Sequence, residues 1–188
     1  MRELDQLKLV QRKSFVSPTR RLETSAEHSW HVALMSWLLF EHAAPPGVDR
    51  ERVIKMLLIH DVVEIDAGDT LLYAEERAQE AQREREQLAA TRLFGLLPED
   101  QGQELRALWE EFEAKQSPDA KFAAAIDRLQ PLILNFMSEG AAWRRHGVVA
   151  SDVYAKNRHI AEGSPELWAA AEELIETAVQ RGYLKREI

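Results

Sequence analysis

The chain has 188 residues and a formal net charge of −8, with 45% of its residues hydrophobic and 30% charged. That is enough chain for one domain with a sizeable core, and the composition is that of a soluble globular protein. The lack of cysteine excludes disulfides and thiolate metal ligands, the acidic balance argues against nucleic acid as a partner, and no apolar run approaches the roughly 20 residues of a membrane span.

The first residues, Met1-Arg2-Glu3-Leu4-Asp5-Gln6, contain no signal-peptide apolar region, so a cytoplasmic location is expected. Apolar spacing is helical nearly throughout, and no stretch alternates with period two between turns. The expected fold is all-α, a compact multi-helix bundle. Residues 4–13 read as a first amphipathic helix. Thr24-Ser25-Ala26-Glu27 reads as a capping box, in which the Thr24 hydroxyl and the Glu27 carboxylate each accept from the other's backbone amide. The helix it opens runs to about residue 44 and carries Trp30, Ala33, Leu34, Trp37 and Leu38, which are expected in the core. Pro45-Pro46-Gly47 ends it.

The next helix spans about residues 49–65, with Gly68 marking its exit. Residues 71–73 lead into a charged stretch, 75–87, read as a solvated helix face laced with Glu/Arg pairs. Its tail, with Leu88, Thr91 (or Arg92) and Phe94, turns inward. Pro98 starts another helix through Leu105, Leu108, Trp109 and Phe112. Ser117-Pro118-Asp119 is an N-cap followed by proline in the first turn, opening a helix over 121–137. Ser164-Pro165-Glu166 repeats that signal for the last helix, to about residue 180. With no repeat, linker or composition break, residues 1–188 read as a single domain.

The run His60-Asp61-Val62-Val63-Glu64 follows the apolar Met56-Leu57-Leu58-Ile59. Burying an imidazole and a carboxylate is costly unless they are paired or bind metal. Glu64 lies four residues after His60 and three after Asp61, so one helix edge presents all three groups to one site. Two further polar intrusions point the same way. His28 sits in the first turn of the Trp30/Trp37 helix, where it is either a packing or capping residue or a ligand. Asp127 interrupts Phe122-Ala123-Ala124-Ala125-Ile126, a helix otherwise built for burial; it either pairs with an arginine such as Arg128 or faces a site. Pro131 cannot donate to the Asp127 carbonyl, so a kink is expected beside that carboxylate. Together His28, His60, Asp61 and Asp127 make a two-His, two-Asp set suited to a divalent cation such as Mn, Co, Zn or Fe, with Mg less preferred.

The sequence resembles the HD-domain phosphohydrolases, specifically the small single-domain branch that includes the 5′-deoxynucleotidases. The resemblance rests on Arg21-Leu22-Glu23-Thr24-Ser25-Ala26-Glu27-His28-Ser29-Trp30 and on Leu57-Leu58-Ile59-His60-Asp61-Val62-Val63-Glu64 with Gly68-Asp69-Thr70. It continues through Leu96-Leu97-Pro98, Leu108-Trp109-Glu110-Glu111-Phe112-Glu113 and Ala120-Lys121-Phe122 to Ile126-Asp127-Arg128, covering most of residues 20–135. It implies an HD-domain bundle on which helices of residues 150–181 pack, with His28, His60, Asp61 and Asp127 as metal ligands. His31 fits on spacing alone, but the family histidine follows an acidic residue, as His28 follows Glu27, which leaves His31 a supporting role.

The resemblance also implies that Glu64 and Asp69 serve the reaction near the substrate, that Asp66 is exposed, and that Arg12 holds a phosphate. Where the nucleotidases often place an aromatic residue that screens the sugar, this chain has Lys13, which would meet the substrate instead. Arg21 is a second candidate phosphate contact, because a guanidinium binds phosphate oxygens bidentately. The expected activity is metal-dependent hydrolysis of a small anionic nucleotide, a (deoxy)nucleoside 5′-monophosphate, by a homodimer. Competing expectations are a cyclic-nucleotide or nucleoside-triphosphate phosphohydrolase, and a non-catalytic helical interaction protein with a structural metal.

Overall fold

The computed structural model describes residues 1–16, 21–70, 72–73 and 76–187. Leu71 and Glu75, at the edges of the charged stretch, lie outside the described residues. In chain order the elements are α1 (Arg2–Gln6), β1 (Gln11–Phe15), β2 (Leu22–Thr24), α2 (Ser25–Leu38), α3 (Arg50–Ile59), α4 (Glu64–Ala67) and α5 (Glu76–Phe94). They continue as α6 (Glu99–Ala114), α7 (Pro118–Met137), α8 (Ala141–His146), α9 (Ala150–Asn157), α10 (Ile160–Gly163) and α11 (Pro165–Gln180). The fold is an all-α bundle with one small antiparallel ribbon, β1 against β2.

α7 is the axis of the bundle. Ser117 caps it by accepting from the Ala120 amide at 3.2 Å, and Pro118 occupies the first turn, where no amide donor is needed. Phe122 and Ala123, Ala125 and Ile126 are fully enclosed, so the helix is buried around most of its circumference. α2, α3, α6, α10 and α11 pack on it. Gly163 lets α10 approach closely, since a Cβ there would lie 2.4 Å from the Lys121 carbonyl oxygen. A smaller core forms beneath α5, where Ala89, Ala90, Leu93 and Phe94 meet Val62, Val63 and Trp109.

Several local expectations hold. The capping box is complete, with the Glu27 amide donating to Thr24 Oγ1 at 3.3 Å and the Thr24 amide to Glu27 Oε2 at 3.0 Å. Ser164 caps α11 through the Leu167 amide at 3.2 Å. Gly68 ends α4 at φ 71°, the left-handed value that glycine adopts without a steric penalty.

Four readings are corrected. The first helix stops early: a 3-10 turn follows at Leu7–Leu9 and the chain then enters β1, where pairing with β2 overrides weak local preference. Trp30, Leu34, Trp37 and Leu38 face outward rather than into the core. The inner face of α2 is built instead from Ser25, His28, Ser29, Val32, Ala33 and Ser36, mostly small residues that let the helix lie close to α3 and α7. Leu88 is likewise exposed, and Ala89, Ala90 and Leu93 turn inward with Phe94. Finally, α3 ends at Ile59, and His60–Val63 form a 3-10 turn rather than a continuing α-helix.

Candidate metal centre and cleft

Three elements deliver the polar groups. α2 supplies His28, the 3-10 turn supplies His60 and Asp61, and α7 supplies Asp127, all four buried. One donor atom each from His28, His60 and Asp127 lies within 4.8 Å of the others. His28 Nε2 is 2.9 Å from Asp127 Oδ1, and His60 Nε2 is 3.5 Å from the same oxygen. Asp61 Oδ1 lies 3.0 Å from His60 Nε2. Neighbouring donors around an ion held at about 2.1 Å are roughly 3 Å apart in an octahedral shell, so these separations suit one cation.

The tautomers argue in the same direction. His28 Nδ1 faces the Gln130 side-chain oxygen at 3.0 Å, and His60 Nδ1 faces the Leu57 carbonyl at 2.8 Å. With each Nδ1 donating its hydrogen, both Nε2 atoms turn toward the Asp127 carboxylate. His60 Nε2 is buried without a hydrogen-bond partner among the described residues. Ring nitrogens and carboxylate oxygens crowd together here, an arrangement that suits a divalent cation. Burial, with Arg12 adding to it, pushes the His28 pKa down to about 4, whereas at His60 burial is outweighed by Asp61 and Asp127 and the pKa rises to about 9, so a cation bound here would displace a proton from His60.

Arg12 is the second organiser. β1 projects it inward, where Nη1 donates to Asp61 Oδ2 at 2.6 Å and lies 4.0 Å from Glu64 Oε1. Burial works against its charge, but Asp61 and Glu64 more than offset that, and its pKa moves up. Glu64 also accepts from Ser25 Oγ at 2.5 Å. Burial foremost, together with Asp61, raises the Glu64 carboxyl well above the usual carboxylate range. The Asp69 carboxyl is raised by burial too, against Arg12, and its Oδ2 is buried without a hydrogen-bond partner among the described residues.

A cleft of about 330 Å³ opens beside the cluster and is lined by Arg12, Lys13, His60, Asp61, Glu64, Asp69 and Asp127. Tyr73, Leu132, Asn135, Trp143 and Val148 line it as well. The structure does not bring Arg21 there: the guanidinium pairs bidentately with Glu27 at 2.5 and 2.8 Å on the surface. Asp66 is exposed as expected, paired with Arg92 at 2.5 Å. The charged stretch is more than a solvated face, since Gln79, Gln82, Arg83 and Glu86 of α5 line the cleft. Gln82 is buried and donates to the Gly68 carbonyl at 2.7 Å, which fastens α5 to the turn that carries Asp69.

Sequence reasoning missed two buried groups. Gln130 donates to Glu23 Oε1 at 2.6 Å and to His31 Nδ1 at 3.1 Å while its oxygen orients His28. Glu23 is almost wholly enclosed, and its Oε2 lies 3.7 Å from both Arg12 Nε and His28 Nδ1. The available signal was an amide one turn after Asp127 on an otherwise apolar face. His31 takes the supporting place expected of it, through Gln130.

A helical bundle that buries a His-His-Asp cluster on three separate elements, with a second aspartate beside it, defines a class of metal-binding α-helical domain. The family model for the HD domain matches residues 4–168, and the chain belongs to that family. Among curated relatives, the human 5′-deoxynucleotidase HDDC2 is 31% identical over 134 residues, covering 71% of this chain and 63% of its own length. A fission-yeast relative, 5′-deoxynucleotidase hdd1 of Schizosaccharomyces pombe, is 25% identical over 62% of this chain and 59% of its own. The chain thus spans somewhat less than two thirds of these relatives. Among solved structures, a predicted metal-dependent phosphohydrolase from Magnetospirillum magnetotacticum MS-1 superposes with a TM-score of 0.92 at 50% identity, over 97% of this chain and 91% of that one. A conserved hypothetical protein from Pyrococcus furiosus shares the fold at 21% identity and a TM-score of 0.62, over 95% of this chain and 96% of that one.

Proposed function

We propose that this protein is a metal-dependent phosphohydrolase that cleaves nucleoside 5′-monophosphates to nucleoside and phosphate. The observation that carries the reading is the convergence of the His28 and His60 Nε2 atoms on Asp127, with Arg12 poised at the edge of the same cleft. The relatives named as 5′-deoxynucleotidases and the 50% identical phosphohydrolase support it. His28, His60 and Asp127 would hold the cation, and Asp61 would complete the set. When bound, the cation supplies Lewis acidity toward a phosphoryl oxygen and lowers the pKa of water.

The chain's own residues do the rest. Arg12 stays charged in a buried setting and neutralises charge that gathers on the phosphoryl oxygens in the transition state. Glu64, with a raised pKa and a fixed hydrogen bond from Ser25, holds the proton that the leaving 5′-oxygen needs. Asp69 lies at the sugar end, where it accepts from a hydroxyl or assists that proton transfer. Lys13 is exposed on the cleft wall beside Arg12 and leaves the 2′ side of the sugar unscreened, so ribo- and deoxyribonucleotides both enter. Leu132, Trp143 and Val148 of the lining give the base apolar surface, as small-molecule clefts of this size do.

The test is a phosphate-release screen of ribo- and deoxynucleoside monophosphates with Mn, Co, Mg and Zn. Release that chelation abolishes while the helical circular-dichroism signal persists supports the proposal. A flat response to every monophosphate and ion overturns it. Unfolding on chelation, with no activity under any condition, makes the metal structural instead.

A further inference from the structure

Asn135 stands on α7 two turns beyond Asp127, and both line the cleft together with Pro131 and Leu132. Their separation of eight residues sets them about 12 Å apart along the helix axis. A nucleotide whose phosphate lies at Asp127 extends over a length of that order, past the ribose to the far edge of its base. Asn135 therefore falls where the base ends. Its side chain is only 9% exposed, and its amide can face only one way. Nδ2 donates to the Pro131 carbonyl at 2.9 Å. That carbonyl can only accept, so the amino group must face it, and turning the amide over would set oxygen against oxygen. Such a local bond is an ordinary way for asparagine to satisfy itself, but it occupies the amino group alone. Oδ1 is buried without a hydrogen-bond partner among the described residues. A buried amide oxygen left bare is destabilising, and native folds keep few of them. Elsewhere in the lining, Asn157 and Trp143 act on the Tyr73 hydroxyl and oppose the rise that burial gives its pKa. Asn135 Oδ1 is left over as an acceptor.

We propose that Asn135 reads the base. Its Oδ1 accepts a hydrogen from the exocyclic amine of cytosine or adenine, so the cleft favours these over uracil, thymine and hypoxanthine, which carry an oxygen in that place. This selectivity presupposes the nucleotide reading above and adds a class of base to it. A base carbonyl would meet Oδ1 as acceptor against acceptor, and the amide pinned by Pro131 cannot turn to suit it. The ribose takes no part in this contact, so the preference is the same in the ribo and deoxy series.

The test compares bases that differ only in that group and the ring hydrogen that goes with it: cytidine with uridine 5′-monophosphate, and adenosine with inosine 5′-monophosphate. Phosphate release should show kcat/KM about 10–100-fold higher for the amino member of each pair. Asn135→Leu, close in shape but without the acceptor, should bring each ratio to within about threefold of one, chiefly by lowering kcat/KM for the amino base. The free nucleosides, which have no phosphate to release, give a second readout by saturation-transfer NMR. There the amino member should bind more tightly and lose that advantage in Asn135→Leu. Should Asn135→Leu fail to fold, the wild-type pairs alone decide. Where no monophosphate is hydrolysed, the hydrolase reading falls and the nucleoside pairs judge Asn135: equal affinity, or no binding, overturns its role. Where they are hydrolysed, equal kcat/KM within the pairs overturns it, as does a preference that survives Asn135→Leu.

Discussion

Arg12 Nη1 donates to Asp61 Oδ2 at 2.6 Å, and both side chains are largely withdrawn from solvent. The bond ties the two-stranded ribbon to the turn that carries the metal-cluster residues. It holds one Asp61 oxygen away from the cluster while the other stays beside His60. Under the proposed function, a substrate phosphate reaching Arg12 would meet a guanidinium already held beside the His-His-Asp cluster.

Arg12→Ala should cost activity twice. Loss of phosphate binding raises KM by at least tenfold, and loss of transition-state charge stabilisation lowers kcat by about 10²–10³. The same change leaves Asp61, Glu64 and Glu23 without their buried cation, which costs about 3–5 kcal/mol of stability. Arg12→Lys should recover most of the stability but little of KM, since an ammonium cannot bind bidentately. Steady-state kinetics alongside urea denaturation separates the two effects.

Glu64→Gln should keep metal and fold while kcat falls by about 10²–10⁴, because the amide still accepts from Ser25 but has no proton to give. Asp127→Ala and Asp61→Ala should instead lose the metal. Metal content after dialysis, set beside kcat for each variant, draws the line between ligand and proton donor. Full turnover in Asp61→Ala would remove Asp61 from the site.

Gln130→Leu probes the support of His28. Without the amide oxygen, His28 Nδ1 loses its acceptor and the ring its fixed tautomer. Metal affinity should fall by about 10–100-fold, with metal restoring turnover at high concentration. Isothermal titration with Mn or Zn reads this directly, and unchanged affinity would reduce Gln130 to a packing residue.

Glu23 gives a pH test. Burial pushes its carboxyl up from 4.5 to about 7, against Arg12 and Gln130. The folded chain then binds more protons than the unfolded chain between those values. Stability from this group is full below pH 4.5 and is lost as pH rises to 7. Glu23→Gln removes the dependence, so its melting temperature should rise relative to wild type across that window and level off above it. The gap has a ceiling of about 3 kcal/mol, a shift of several degrees. A constant offset from pH 4.5 to 8 would contradict it.

What the sequence disclosed follows the range of the interactions. The capping box, the Ser-Pro helix starts and the glycine after α4 are settled within four residues, and each is found in place. The His28, His60 and Asp127 intrusions were legible because charged groups inside apolar helices demand a reason. β1 was not legible: Gln-Arg-Lys-Ser-Phe lacks β-branched residues, and its extended form depends on pairing with β2. Glu23 and Gln130 were missed because their burial exists only where the ribbon, α2 and α7 meet. The inverted face of α2 has the same origin. Amphipathic reasoning puts tryptophan inside, and here close packing of small residues takes that place.

The spacing of the cluster along the chain has a further consequence. His28 and Asp127 touch across 99 intervening steps of sequence. A growing chain emerging from the ribosome carries His28, His60 and Asp61 but lacks Asp127 until α7 has been made and packed. No nascent fragment presents the full donor set, so the choice among cellular metal ions falls to the folded bundle, whose rigid spacing discriminates among them where a loose peptide would take whichever ion bound first.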